Sequence, residues 1–429
     1  MEETIESPLT RLLKRELLVS MGCTEPAAAA LAAAAARHAL GIPPQAVRIR
    51  ASRDIIKNAM HAGIPHSTFK GINAAAALGV SVGDPAKGLN ILSCIGPEDE
   101  ERAAALLRSG CIELELAEGT PPVFIEVKVQ AEGHSATARI QGEHSQVVIL
   151  KDSGGETMPE YIQSGESYPE LSPEALYDYA LHVPFAEIRF LIEGARTNYA
   201  IAEHSVKTGY GIQVGKTMLE QEGGDLFLRG ASLAAAASDA RMAGCSMPVV
   251  INSGSGNQGI TISVPVLVLG EGLGRGEEEI TRALCLAHLT ALMMTARKDR
   301  LSALCGAFTA AVGTAAGYIL LLGGGYDDMT RCVNNMVGNL MGILCDGAKG
   351  SCALKIYSCV EAAAMGAKIA LAGRSIPASE GVLGNNLEET LRTVRQISHE
   401  GMIPLDKTIL NIMIQKRKQQ EVTKGASKN

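Results

Sequence analysis

The side chains best suited to chemistry in this sequence are cysteines. Cys345 and Cys352 flank the loop Asp346-Gly347-Ala348-Lys349-Gly350-Ser351, and Cys305 precedes them in Leu304-Cys305-Gly306-Ala307. An apolar, helix-like run enters the loop and a second one leaves it. Two thiolates presented on such a loop can grip one soft metal centre. Neither C-x-x-C nor zinc-finger spacing is present, so residue types alone leave metal binding level with simple burial of small thiols.

Two further stretches carry candidate groups. In Met21-Gly22-Cys23-Thr24-Glu25-Pro26, Thr24 reads as a helix N-cap, with Glu25 and Pro26 in the first turn of an alanine-rich helix. Cys23 then precedes a helix N-terminus, where the dipole lowers a thiol pKa; a small residue buried at a turn stands level with that reading. Gly254-Ser255-Gly256-Asn257-Gln258-Gly259 matches the dinucleotide fingerprint in letters only. A helix should follow it, but the run 260–270 is β-branched and contains Pro265, and no suitably placed acid ends a second strand. An anion-binding loop, holding a carboxylate on close backbone N–H groups, suits it better.

These groups must be positioned by other elements. Leucines at helical spacing in 5–20 predict an amphipathic helix. Residues 46–50, 123–130, 136–140 and 147–151 alternate and predict strands, the last three an antiparallel meander. Residues 57–71, with His61, His66, Ser67, Thr68 and Lys70, read as a polar connection, either a source of groups for a substrate carboxylate or a surface loop, and 152–172 as a loop. From Pro173 onward helical patterns dominate, over 173–194, 195–222, 226–243, 277–297, 301–322, 328–344, 352–372 and 386–398. The expected fold class is α+β: a largely helical catalytic domain and a smaller α+β domain with an antiparallel sheet. The division expected is 1–45 as N-terminal helices packing on the catalytic domain, 46–189 as the α+β domain, and 190–429 as the catalytic domain.

Composition removes several function classes. The chain has 429 residues, enough for two domains, and a formal charge of −7, which argues against a nucleic-acid binder. The N-terminus is charged and lacks a signal-peptide core, so a cytoplasmic location is expected, and ten cysteines there imply thiols rather than disulfides. Residues 301–326 carry no charge, but their Gly, Ala and Thr content points to a buried helix, not a membrane span. The basic Lys416-Arg417-Lys418 segment and the tail beyond it read as a frayed, solvated end. Cys94, Cys111, Cys245, Cys285, Cys332 and Cys359 read as structural.

Four stretches carry a resemblance: GCTEPAA at 22–28, NSGSGNQGI at 252–260, LCGAFTAAVGTAAGY at 304–318 and GNLMGILCDGAKGSCALKI at 338–356. The sequence resembles the L-cysteine desulfidase family over nearly its whole length. Over roughly 240–370 it is similar to the α-chain of iron–sulfur L-serine dehydratases. The resemblance implies a 4Fe-4S cluster on Cys305, Cys345 and Cys352, breakdown of L-cysteine to pyruvate, ammonia and sulfide, and a place for Cys23 in the active site. Cys23 and Glu25 become the candidate bases, Lys349 a group that holds a carboxylate or tunes the cluster, and Ser255, Asn257 and Gln258 substrate contacts. Asn334, Asn335 and Asn339 are candidates to support the cluster ligands. The serine-rich substrate motif of the dehydratases is missing, which favours cysteine. An amino-acid dehydratase and a cluster-bearing redox sensor remain as alternatives. The expected partner is a small amino acid, with no nucleic acid and no membrane; a homodimer is allowed.

Overall fold

The computed structural model describes residues 6–142, 144, 147–152, 171–298 and 301–426, without the side chains of 150–152, 417, 418 and 420–426. Helix α1 (Pro8–Glu16) is capped by Ser7 and buries Leu12 and Leu13. A two-residue strand β1 (Val19–Ser20) follows. Helix α2 (Thr24–Leu40) starts at Cys23, one residue earlier than the expected Thr24 cap, because the Thr24 hydroxyl instead donates to the Gly254 carbonyl at 2.8 Å.

The α+β unit comes next. Strand β2 (Ala46–Ala51) leads into α3 (Arg53–Ala59), α4 (Ile72–Val82), a 3₁₀ stretch (Pro85–Cys94) and α5 (Pro97–Ser109). Strands β3 (Ile112–Leu116), β4 (Phe124–Ala131), β5 (His134–Gln141) and β6 (Val147–Asp152) complete it. The sheet order is β3-β2-β4-β5-β6. The β4–β5–β6 meander is antiparallel as the alternation predicts, and β2 adds antiparallel to β4. The sheet is nevertheless mixed, since β3 pairs parallel to β2 at the far end of the α3–α5 crossover. Ile125, Val127 and Val129 are fully buried, and the alanine-lined α2 packs on that face.

The helical part contains α6 (Pro173–His182), α7 (Phe185–Ile188), α8 (Phe190–Thr208), α9 (Val214–Leu219) and α10 (Leu226–Ala243). Strand β7 (Val249–Val250) pairs antiparallel with β1. Then come α11 (Gly256–Gly272), α12 (Glu277–Ala296), α13 (Gly306–Leu321), α14 (Tyr326–Leu340), α15 (Ser351–Leu371), α16 (Leu387–Gln396) and, after a π turn at Ile397–Gly401, α17 (Met402–Ala426). The expected loop at 152–172 falls mostly at 153–170, outside the described residues. The expected frayed tail is helical through Ala426.

Run 260–270 is helix, not strand. It is buried along its length, so packing overrides β-branched propensity. Pro265 supplies no N–H to the Thr261 carbonyl, and the Thr314 hydroxyl of α13 fills that role at 2.8 Å. A helix therefore does follow the glycine loop. The dinucleotide reading still fails, since β7 is two residues long and sits in a two-stranded antiparallel pair.

Two cores form. One holds α2–α4 and the sheet; the other holds α1 and the helices from 171 to 394. Among the described residues no helix is long and apolar enough to cross a membrane, and α13 is buried on nearly every side.

Candidate active site

The cysteine pair 305 and 345 is set by backbone pairing. Leu304 and Leu344 form an isolated antiparallel bridge, Cys305 N–H donates to Ile343 O at 3.0 Å, and Cys345 N–H donates to Ala303 O at 2.7 Å. This pairing brings Cys305, the N-cap of α13, beside Cys345. Cys352 follows in the first turn of α15. The loop between them docks on the end of α3: Ala348 N–H donates to Asn58 O at 3.4 Å. Gly347 has φ +95°, and a Cβ there would lie 2.3 Å from the Lys57 carbonyl, so glycine is required both for the backbone and for the close approach.

Cys23, Glu25, Asn58, Arg241, Ser255, Asn257, Gln258, Cys305, Cys345, Cys352 and Lys355 line one cleft of about 610 Å³, counted to its open mouth. It lies where the two cores meet. The N-termini of α2, α11, α13 and α15 all open into it. Four such ends concentrate partial positive charge where anions and thiolates would sit.

Around the cleft, charge is arranged in layers. Lys57 is fully buried, 2.5 Å from Asp406 Oδ1 and 3.8 Å from Asp54 Oδ1. Burial alone would lower its pKa, but Cys345, Asp406 and Asp54 together raise it, so it stays charged. The Cys305 thiol, hydrogen-bonded to the Cys345 sulfur, holds Cys345 well below the ordinary thiol range, and Lys57 and Lys298 add to the effect. Burial raises Cys352, and raises Cys23 to about 11 against the pull of Arg241. The helix-end expectation for Cys23 is therefore reversed, because desolvation outweighs the dipole.

The other predicted residues take varied places. Glu25 accepts a hydrogen bond from Asn58 Nδ2 at 3.1 Å. Ser255 caps α11 through its side chain. Asn257 Oδ1 accepts from Arg241 at 3.2 Å, and Gln258 Oε1 accepts from the Thr309 and Thr295 hydroxyls. Lys349 is outside the lining: its ammonium pairs with Asp346 of its own loop. Lys355 takes the position at the cleft, bonded to Asp346 and the Leu344 carbonyl. Against burial, Lys349 and Lys355 hold the Asp346 carboxyl down at about 2. Asn335 ties Arg374 and Ile376, and neither it nor Asn334 or Asn339 lines the cleft.

Sequence reasoning missed Asn58, Arg241 and Lys355. Arg241 had a signal, being a lone cation late in the small-residue run 231–243. Asn58 lies in the polar stretch 57–71, but its own part depends on a loop nearly 300 positions away.

The cysteines are all free thiols. Among the described residues no three His, Cys, Asp or Glu groups gather closely enough for a single metal ion. Cys305, Cys345 and Cys352 line one cleft, backed by cations and helix N-termini, and are soft sulfur donors of the kind that an iron–sulfur group takes.

The family model described as serine dehydratase alpha chain matches residues 86–411. A UPF0597 protein of Oleidesulfovibrio alaskensis is 40% identical over 418 residues, covering 95% of this chain and 97% of that protein. A UPF0597 protein of Aeromonas hydrophila is 37% identical over 414 residues, 94% of each chain. One from Bacteroides thetaiotaomicron is 38% identical over 426 residues, covering 97% and 99%. On the strength of a match spanning most of its length, the chain belongs to the serine dehydratase alpha chain family.

Proposed function

We propose that this chain is an iron–sulfur-dependent lyase that converts L-cysteine and water to pyruvate, ammonia and hydrogen sulfide. The observation that carries the reading is the placement of Cys305, Cys345 and Cys352 on one cleft ringed by helix N-termini. These three would hold a 4Fe-4S cluster, whose fourth iron, left open, supplies a Lewis acid well matched to sulfur.

The chain's own groups supply the rest. Glu25 lines the cleft and accepts a hydrogen bond from Asn58, and on this reading it is the base that takes the α-proton. Cys23, on the cleft wall beside Cys352, carries a thiol that can return a proton to the departing sulfur. Loss of sulfide leaves aminoacrylate, which tautomerises and hydrolyses in water to pyruvate and ammonia. Lys57 and Lys355 offset the negative charge of the thiolates. On this reading the enzyme works in the cytoplasm on a small amino acid, without membrane or nucleic acid, and a homodimer is allowed.

A second reading, elimination of water from L-serine, is favoured by the description of the family to which the chain belongs. Purified protein with its cluster, assayed without oxygen, separates the two. The lyase reading predicts equal sulfide and pyruvate from L-cysteine, faster than pyruvate from L-serine. The reverse order supports the dehydratase. No pyruvate from any amino acid, with a full cluster, would contradict both and favour a sensor.

A further inference from the structure

Arg241 is a buried charge that the fold leaves largely unused. It sits near the end of α10 with 4% of its surface exposed, and it lines the cleft. One terminal nitrogen donates to Gly22 O at 2.9 Å and the other to Asn257 Oδ1 at 3.2 Å. Its Nε is buried with no hydrogen-bond partner. Each terminal nitrogen of the guanidinium carries two N–H groups, so one on each is left beyond the bonds to Gly22 and Asn257. Among the described residues no carboxylate pairs with it, and a desolvated cation without an anion is costly.

The slot that holds it is built for it. A Cβ on Gly256 would lie 2.4 Å from Arg241 Nε, 2.8 Å from Cζ and 2.8 Å from Val249 Cγ2. Gly256 is the first residue of α11 and needs no special backbone angle, so the missing side chain makes room for the guanidinium and for Val249 and does not serve the turn. Arg241 therefore reaches the cleft beside the N-terminus of α11, where a carboxylate would meet both a planar cation and a helix end.

We infer that Arg241 holds the carboxylate of the substrate, so that the cleft selects amino acids over the corresponding amines. The inference rests on the lyase reading for the identity of its ligand. The test is calorimetric, on the full-length protein with its cluster, kept without oxygen. The probes are L-alanine, which has carboxylate and amine but no leaving group, propionate, which lacks the amine, and ethylamine, which lacks the carboxylate.

Alanine and propionate should bind, with ethylamine at least about 10-fold weaker. Ethylamine binding as well as alanine, or no binding of any probe, would overturn the inference. Because Arg241→Gln also loses the bond to Gly22, the slot is tested separately by Gly256→Ala, with circular dichroism as the folding control. A folded Gly256→Ala protein should bind alanine roughly 10- to 100-fold more weakly. Sulfide release by that variant with an unchanged KM would overturn this inference and leave the lyase reading standing. Wild-type protein that favours alanine over ethylamine yet turns over no amino acid would do the opposite.

Discussion

Replacing Lys57 with Met tests how the buried charges hold the cysteines. The side chain is fully buried, and Met preserves most of its volume while removing the ammonium. Asp406, 3% exposed, then loses its 2.5 Å cation, and Asp54, 4% exposed, keeps only Arg53 at 3.2 Å. Removing one member of a buried pair costs about 3–5 kcal/mol, because the other charge is stranded. The damage should reach the site, since Asp406 Oδ2 accepts from Ala303 N–H at 2.7 Å and the Ala303 carbonyl holds Cys345 N–H. Lys57→Met/Asp406→Asn should recover at least half the loss, because a neutral amide can still accept from Ala303. The assay is urea unfolding followed by far-ultraviolet circular dichroism, as the chain has no Trp for fluorescence. A Lys57→Met protein within about 1 kcal/mol of wild type, or a double variant less stable than the single, would refute the reasoning.

Three other perturbations have defined outcomes. Cys23→Ala should keep its iron and lose turnover; near-normal turnover would make Cys23 a packing residue. Thr314→Val should cost about 1–3 kcal/mol by stranding the Thr261 carbonyl beneath Pro265, and adding Pro265→Ala should recover part of that; equal costs with and without the alanine would refute the pairing. Burial lowers the His288 pKa from 6.5 to about 3, so its contribution is fully present above pH 6.5 and is lost as pH falls toward 3. His288→Gln should flatten the stability–pH curve in that window by up to about 1.4 kcal/mol per pH unit, and unchanged curvature would contradict this.

Much of this molecule can be read in one dimension. Strand alternation in 123–130 and the helical patterns over 226–243 and 277–297 are local signals, and the structure places those elements close to where the patterns predict them. Cys305, Cys345 and Cys352 are legible as a set through the residues around them. The misreading of 260–270 has a physical cause: β-branched side chains are helical here because the segment is buried, and Thr314 repairs the gap at Pro265. Ile112–Leu116 went unread because it is a short edge strand whose partner, β2, lies on the other side of several helices. The contacts that complete the site are the least local of all. Lys57 meets Asp406 across 349 positions, and Arg241 meets Gly22 across 219. No periodicity encodes such pairs.

The central claim is that Cys305, Cys345 and Cys352 share one inorganic group. Iron and acid-labile sulfide, counted per chain with the anaerobic absorbance spectrum, test it in wild type and Cys345→Ala side by side. The account predicts about four of each in reconstituted wild type, with a broad brown absorbance, and loss of both in the variant. Full iron and sulfide in folded Cys345→Ala, or none in reconstituted wild type, would contradict it.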